Sequence, residues 1–226
     1  MLTRLTSPLV QFSTCEISDA LIKLGLPHGG HIPDIGEMFA CGRNCGPAYT
    51  VRMVDASNTI APRLESHFLD IAPRGHFIVI EAPSYAKNAV WGELMTAGAQ
   101  ARDAVGVIIS GRCRDVQDLQ NRRLPIYARG HSTLGQSTFT RPSEVNTPLV
   151  IHPQGSTFAE TSFPSVTIEP EDWMVADRDG VVCVPKALES QVIELAAKGK
   201  VVDESCLNDI LNGKGVSASF KAHRGS

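Results

Sequence analysis

The chain has no apolar run near the roughly 20 residues that cross a bilayer, and its N-terminus lacks a signal-peptide core, so no membrane association and a cytoplasmic location are expected. Basic charge is not in excess. Twenty-one Lys and Arg against 24 Asp and Glu give a net charge of −3, which leaves no global footprint for nucleic acid. The six cysteines (Cys15, Cys41, Cys45, Cys113, Cys183 and Cys206) are scattered through a chain too long to need stapling, so reduced thiols are expected. Cys41 and Cys45 have no second close-spaced pair to complete a zinc site. Cys113 precedes Arg114, whose charge favours a thiolate, but burial as a small apolar residue is the stronger expectation. Gly130-His131-Ser132-Thr133-Leu134-Gly135 lacks the nucleophile-elbow spacing, Gly213-Lys214-Gly215 lacks that of a phosphate loop, and no dinucleotide fingerprint occurs. Repeats, low-complexity tracts and linkers are also missing. One domain over 1–226 is expected, with a loose tail from about 215.

What is present is a regular alternation of elements. Ser13-Thr14-Cys15-Glu16 fits a capping box for a helix ending near Gly25, and His28-Gly29-Gly30-His31 reads as a turn. Strands are expected over 48–54, 76–82, 105–110, 125–129, 148–152, 165–169, 173–176 and 180–184. Helices are expected over 61–71, 93–104 and 186–198. A mixed α/β layered domain follows.

Chemistry concentrates between Gly92 and Asp115. Twelve helical residues from Glu93 rise roughly 18 Å and six extended residues from Val105 about 20 Å, so a strand running back along the helix returns its end to the helix start. Glu93 and Asp115 become neighbours. The amides of Gly92, Glu93, Leu94 and Met95 would open a helix and favour an anion, Arg114 adds a fork shaped for a carboxylate, and Asp115 offers a hard oxygen to a cation. A 2-oxo acid needs that combination, because its carboxylate must be held while its keto oxygen is polarised.

At these residues the chain resembles the RraA-like family, which includes the divalent-metal-dependent 4-hydroxy-4-methyl-2-oxoglutarate (HMG) aldolases. Phe12 to Leu21 is similar to the family's N-terminal helix, Leu124 to Gly130 to its PVFARG strand, and Val175 to Val182 to its ADxDGVV hairpin. Glu93, twenty intervening residues and Arg114-Asp115 match its central signature. The resemblance implies a three-layer ββα sandwich related to swivelling phosphohistidine domains. It also implies Asp115 as ligand of Mg²⁺ or Mn²⁺, Arg114 as the substrate-carboxylate arginine, and Gly92, Glu93, Leu94 and Met95 as substrate-contacting backbone. Glu93 departs from the Asp that many members with aldolase activity carry, which moves the carboxylate by about 1.5 Å on a fixed backbone.

The implied activity is cleavage of a carbon–carbon bond next to a 2-oxo acid through pyruvate enolate, as an HMG aldolase, an oxaloacetate decarboxylase or both. Arg114, Asp115 and Glu93 would be catalytic. The resemblance also implies a homotrimer or homohexamer with sites at subunit boundaries, where Asp203 and Glu204 are acidic residues within reach of a neighbour. Two alternatives stay open: a non-catalytic regulator that binds a ribonuclease or helicase, and a Schiff-base aldolase using Lys87.

Overall fold

Capping chemistry sets the first helix, α1 (Thr14–Lys23): the Ser13 hydroxyl accepts the Glu16 amide at 3.1 Å and the Glu16 carboxylate accepts the Ser13 amide at 2.7 Å. Gly25, at φ +88°, ends it. In a computed structural model, residues 7–39, 42–154 and 163–225 are described. Cys41 and the last residue of the expected tail lie outside them. Next come β1 (Gly36–Phe39), β2 (Asn44–Asp55), β3 (Phe77–Glu81), β4 (Ala89–Trp91), α2 (Glu93–Ala101), β5 (Gly106–Cys113), α3 (Val116–Arg122) and β6 (Ile126–His131). The chain continues with β7 (Thr140–Val145), β8 (Leu149–Ile151), β9 (Val166–Ile168), β10 (Trp173–Asp177), β11 (Gly180–Val184), α4 (Glu189–Leu211) and α5 (Val216–His223).

Among the described residues, nine strands form the main sheet, in the order β1-β6-β5-β3-β2-β10-β11, with β4 added to β5 and β7 to β2. The four central strands β6, β5, β3 and β2 are parallel, joined by crossovers that contain α3, α2 and the irregular segment 56–76. Their apolar runs are covered on both faces. Val51, Ile80, Ile109 and Ala128 point to the core beneath α2 and α3, whereas Val79, Ile108 and Tyr127 point to the opposite core with Leu149, Ile168, Met174 and Val181. The twelve-residue β2 pairs β10 through Asn44–Pro47 and β3 through Ala48–Arg52, so it carries the sheet round a corner. A bridge from His31 to Val182 then brings β11 towards the β1 side, and the result is a mixed α/β fold whose sheet is nearly a barrel. On the outer face of β10 and β11, α1 and α4 bury Ile17, Leu21, Val192 and Ala196 against Val175, Val182 and Val184.

Two expectations are corrected. No helix forms over 61–71, because the Asn58, Ala61 and Pro62 carbonyls accept the Arg141 guanidinium at 2.6–2.7 Å, and Ser143 adds a bond to Pro62 at 3.0 Å. The side chains of β7 take acceptors that helical amides would need. The segment expected to be a loose tail contains α5, because Asp209 on α4 gathers Lys214 at 2.6 Å, His223 at 2.8 Å and the Ser219 hydroxyl at 3.3 Å. Helix α4 itself runs 23 residues, well past the expected 198.

The turn after α1 is sterically exacting. Gly30 sits at φ +69°, and a Cβ there would lie 2.6 Å from Leu21 Cδ1 and collide with the Cys183 carbonyl oxygen, whereas Gly25 has open space around it. Gly30→Ala is expected to lose about 3 kcal/mol through strain and overpacking, and Gly25→Ala about 1 kcal/mol through backbone conformation alone. Urea denaturation read by circular dichroism checks the ranking. Equal midpoints for the two variants would contradict it.

Candidate active site

The parallel pairing of β4 with β5 places Ala89 beside Arg112 and Trp91 beside Cys113. The Arg114 amide extends that ladder to the Trp91 carbonyl at 2.9 Å, so Gly92 and Arg114 leave their strands side by side. Gly92 then starts α2 as its N-cap and has no side chain to satisfy the helix amides. Asp115 supplies the missing acceptor: its Oδ2 takes the Glu93 amide at 3.0 Å. Asp115 is itself the N-cap residue of α3, in left-handed backbone at φ +59°, and its carbonyl accepts the Leu119 amide at 2.9 Å. Its carboxylate makes no bond to its own helix and is free to cap the neighbouring one. Asp tolerates this conformation better than most residues.

Arg114 lies against the same carboxylate, with Nε 3.6 Å from Asp115 Oδ2. Two glycines leave room for the pair. A Cβ on Gly92 would stand 2.5 Å from Asp115 Oδ2, and one on Gly135 would stand 2.6 Å from Arg114 Nη1. Behind them the buried Trp91 indole donates to Thr96 Oγ1 at 2.8 Å, and Thr96 Oγ1 donates to the Gly92 carbonyl at 3.1 Å, which fixes the entry to α2. The Leu94 and Met95 amides have no hydrogen-bond partner among the described residues, so they remain available to an anion.

All six residues expected from the sequence (Gly92, Glu93, Leu94, Met95, Arg114 and Asp115) line one cleft of about 310 Å³. Gly135, Gln136 and Ser137 form its far wall. Sequence reasoning missed these three, since only the fold shows that the loop after β6 is tied to β5 by Ser132 N–Cys113 O and to β4 by Ala89 N–Leu134 O, both at 2.9 Å. A second cleft, lined by His131, Ser132 and Thr133, reaches Arg114 and Asp115 from the other side.

The Glu93 side chain takes a different course from its backbone. Arg122 on α3 holds Glu93 Oε1 with Nη2 at 2.7 Å and Nε at 3.1 Å, so the carboxylate spans α2 and α3. Arg122 thereby has its anionic partner within the chain. Asp203, considered for a neighbour's site, pairs with Arg224 at 2.5 Å. Lys87 lines a separate cavity and not this cleft. Cys113 is fully buried, and burial pushes its thiol up to about 11, so the adjacent arginine does not activate it.

Among the described residues no group of three or more His, Cys, Asp or Glu side chains converges on a possible metal position. The tetrahedral nitrogen and sulfur donor set of zinc has no counterpart here. Asp115 alone fits a different chemistry. Its carboxylate is about one-third exposed and its Oδ1 has no partner among the described residues, which suits Mg²⁺ or Mn²⁺, ions that keep several waters and use one or two carboxylates.

A family model described as RraA-like, Aldolase/RraA, matches residues 14–183. A Halalkalibacterium halodurans protein named "Putative 4-hydroxy-4-methyl-2-oxoglutarate aldolase" is 29% identical over 71% of this chain and 68% of its own length. Protein DlpA of Legionella pneumophila is 26% identical over 92% of this chain, but the match spans only 32% of that relative. The crystal structure of an uncharacterized protein from Pseudomonas syringae superposes with a TM-score of 0.77 at 28% identity, covering 93% of this chain and 94% of the other. No helix among the described residues is long and apolar enough to cross a membrane. With three-quarters of its length inside the family match and the expected mixed α/β fold in place, its sheet closed nearly to a barrel, the chain belongs to the RraA-like family.

Proposed function

We propose that this chain is a divalent-metal-dependent lyase that cleaves a carbon–carbon bond of a 2-oxo acid to release pyruvate, from HMG, from oxaloacetate or from both. The observation that carries this reading is the opening of Arg114, Asp115 and the unpartnered Leu94 and Met95 amides onto one cleft. The HMG aldolase names of relatives such as the Halalkalibacterium protein support it.

The substrate carboxylate would be held by the Arg114 guanidinium and the amides at the start of α2, a charge-assisted arrangement contributing about 1.5–3 kcal/mol. Asp115 is the residue that would hold Mg²⁺ or Mn²⁺, and such a cation when bound polarises the keto oxygen and offsets the charge that develops as the enolate forms. Aldol cleavage also needs the substrate hydroxyl proton removed. Glu93 Oε2, the oxygen that Arg122 leaves free, is the assigned acceptor through one water. Decarboxylation of oxaloacetate needs no such proton transfer, so one site serves both reactions. Because no cluster of three or more possible metal ligands forms among the described residues, a trimer or hexamer in which a neighbour borders the cleft completes the proposal.

Asp115→Ala is expected to abolish pyruvate release from HMG and oxaloacetate, and excess EDTA to do the same to the unaltered protein, as read in a coupled assay. Turnover that survives both would overturn the metal mechanism. No release from either substrate at any Mg²⁺ or Mn²⁺ concentration would leave the family's ribonuclease- or helicase-binding role as the reading.

Gly135→Ala should displace Arg114 and raise KM about tenfold with a smaller change in kcat, whereas Arg122→Gln should lower kcat for HMG more than for oxaloacetate. Equal effects of both variants on both substrates would contradict the separation of roles. Light scattering should give a mass near three or six times 24.3 kDa, and a fully active monomer would refute the shared cleft.

A further inference from the structure

The inner face of the near-barrel changes character at one level on four adjacent strands. Thr50, Val79, Ile108 and Tyr127 are fully or almost fully buried, and the next residues on the same face are Arg52, Glu81, Ser110 and Arg129. The pairing register aligns Arg52 with Glu81 and Glu81 with Ser110, so these residues form a row across the carboxyl ends of the parallel strands. They line a cavity of about 200 Å³, completed by Lys87 before β4, Arg112 on β5 and His152 after β8. It shares no lining residue with the Asp115 cleft. The carboxyl ends of parallel strands and the mouths of barrels are where small ligands collect.

Charge in this mouth is unbalanced. Arg52 is matched by Glu144 at 3.0 Å and Glu81 at 3.5 Å. Among the described residues Arg112 bonds only the His131 carbonyl, at 3.0 Å, and Arg129 reaches the His152 carbonyl while its Nε is buried without a hydrogen-bond partner. Lys87 is exposed and makes no ion pair among the described residues. Burial works against the charge of Arg129, which Asp34 offsets only in part. Among the described residues three cations without an ion pair, Lys87, Arg112 and Arg129, thus face a hollow with room for about six waters, whose lining carboxylate, Glu81, is already paired with Arg52.

We propose that this mouth is a second ligand site, specific for a small dianion whose oxygens take the open donors of Lys87, Arg112 and Arg129. A dicarboxylate and a phosphate group share that chemistry. The site does not depend on the reading of the Asp115 cleft.

Isothermal titration of inorganic phosphate and of succinate into the full chain tests this, with Arg114→Gln as the background so that the Asp115 cleft does not bind carboxylates through its arginine. Saturable binding of at least one anion, at one per chain, is expected. Arg129→Gln should weaken it about tenfold and Lys87→Ala about threefold. Phosphate alone, succinate alone or both binding would assign the ligand class within the proposal. Absence of binding by either, or an affinity unchanged by Lys87→Ala, would overturn it. Lys87 is exposed and makes no hydrogen bond or ion pair among the described residues, so its variant decides the question even where Arg129→Gln fails to fold.

Discussion

The bond from the Glu93 amide to the Asp115 carboxylate is the constraint on which the candidate site depends. It joins the turn after β5 to the first turn of α2 and holds Asp115 Oδ2 at the positive end of a helix. The bond exists because β4 and β5 pair in parallel and bring Gly92 level with Arg114. One carboxylate oxygen is thereby spent on structure and the other left for chemistry. Any group that competes for Oδ2 would disturb the helix start and the cleft together.

Much of this arrangement was legible from chain length and periodicity. The rise of a helix and of a strand already implied that residue 115 returns to residue 93, and the observed α2 and β5 do so although the helix is shorter and the strand longer than expected. The buried strands were legible because parallel strands covered on both faces need apolar side chains at nearly every position. The capping box at Ser13 was legible because both of its hydrogen bonds are local. The family blocks added an expectation that periodicity cannot give, namely which residues of the turn would face a ligand.

What escaped was long-range. The helix-like pattern at 61–71 loses to Arg141, a residue seventy to eighty positions away whose guanidinium no local window contains. The C-terminal helix depends on Asp209 gathering three partners that composition alone reads as a solvated tail. The Glu93 side chain was read with its own backbone, whereas Arg122 on the next helix draws its carboxylate across. Gly135 carries no chemistry of its own. Its importance is the space it leaves for Arg114, and only coordinates show an absence of that kind.

The cleft therefore separates into a frame and a rim. Trp91, Thr96, Gly92, Asp115 and Gly135 are held by mutual hydrogen bonds or by close packing, whereas the Leu94, Gln136 and Ser137 side chains line the same space and make no hydrogen bond among the described residues. Leu94 is 85% exposed. Substitutions on the rim cost the fold little, so they are free to drift while the frame stays fixed. A lineage built on this scaffold can alter what the cleft admits by changing the rim, without passing through an unfolded ancestor.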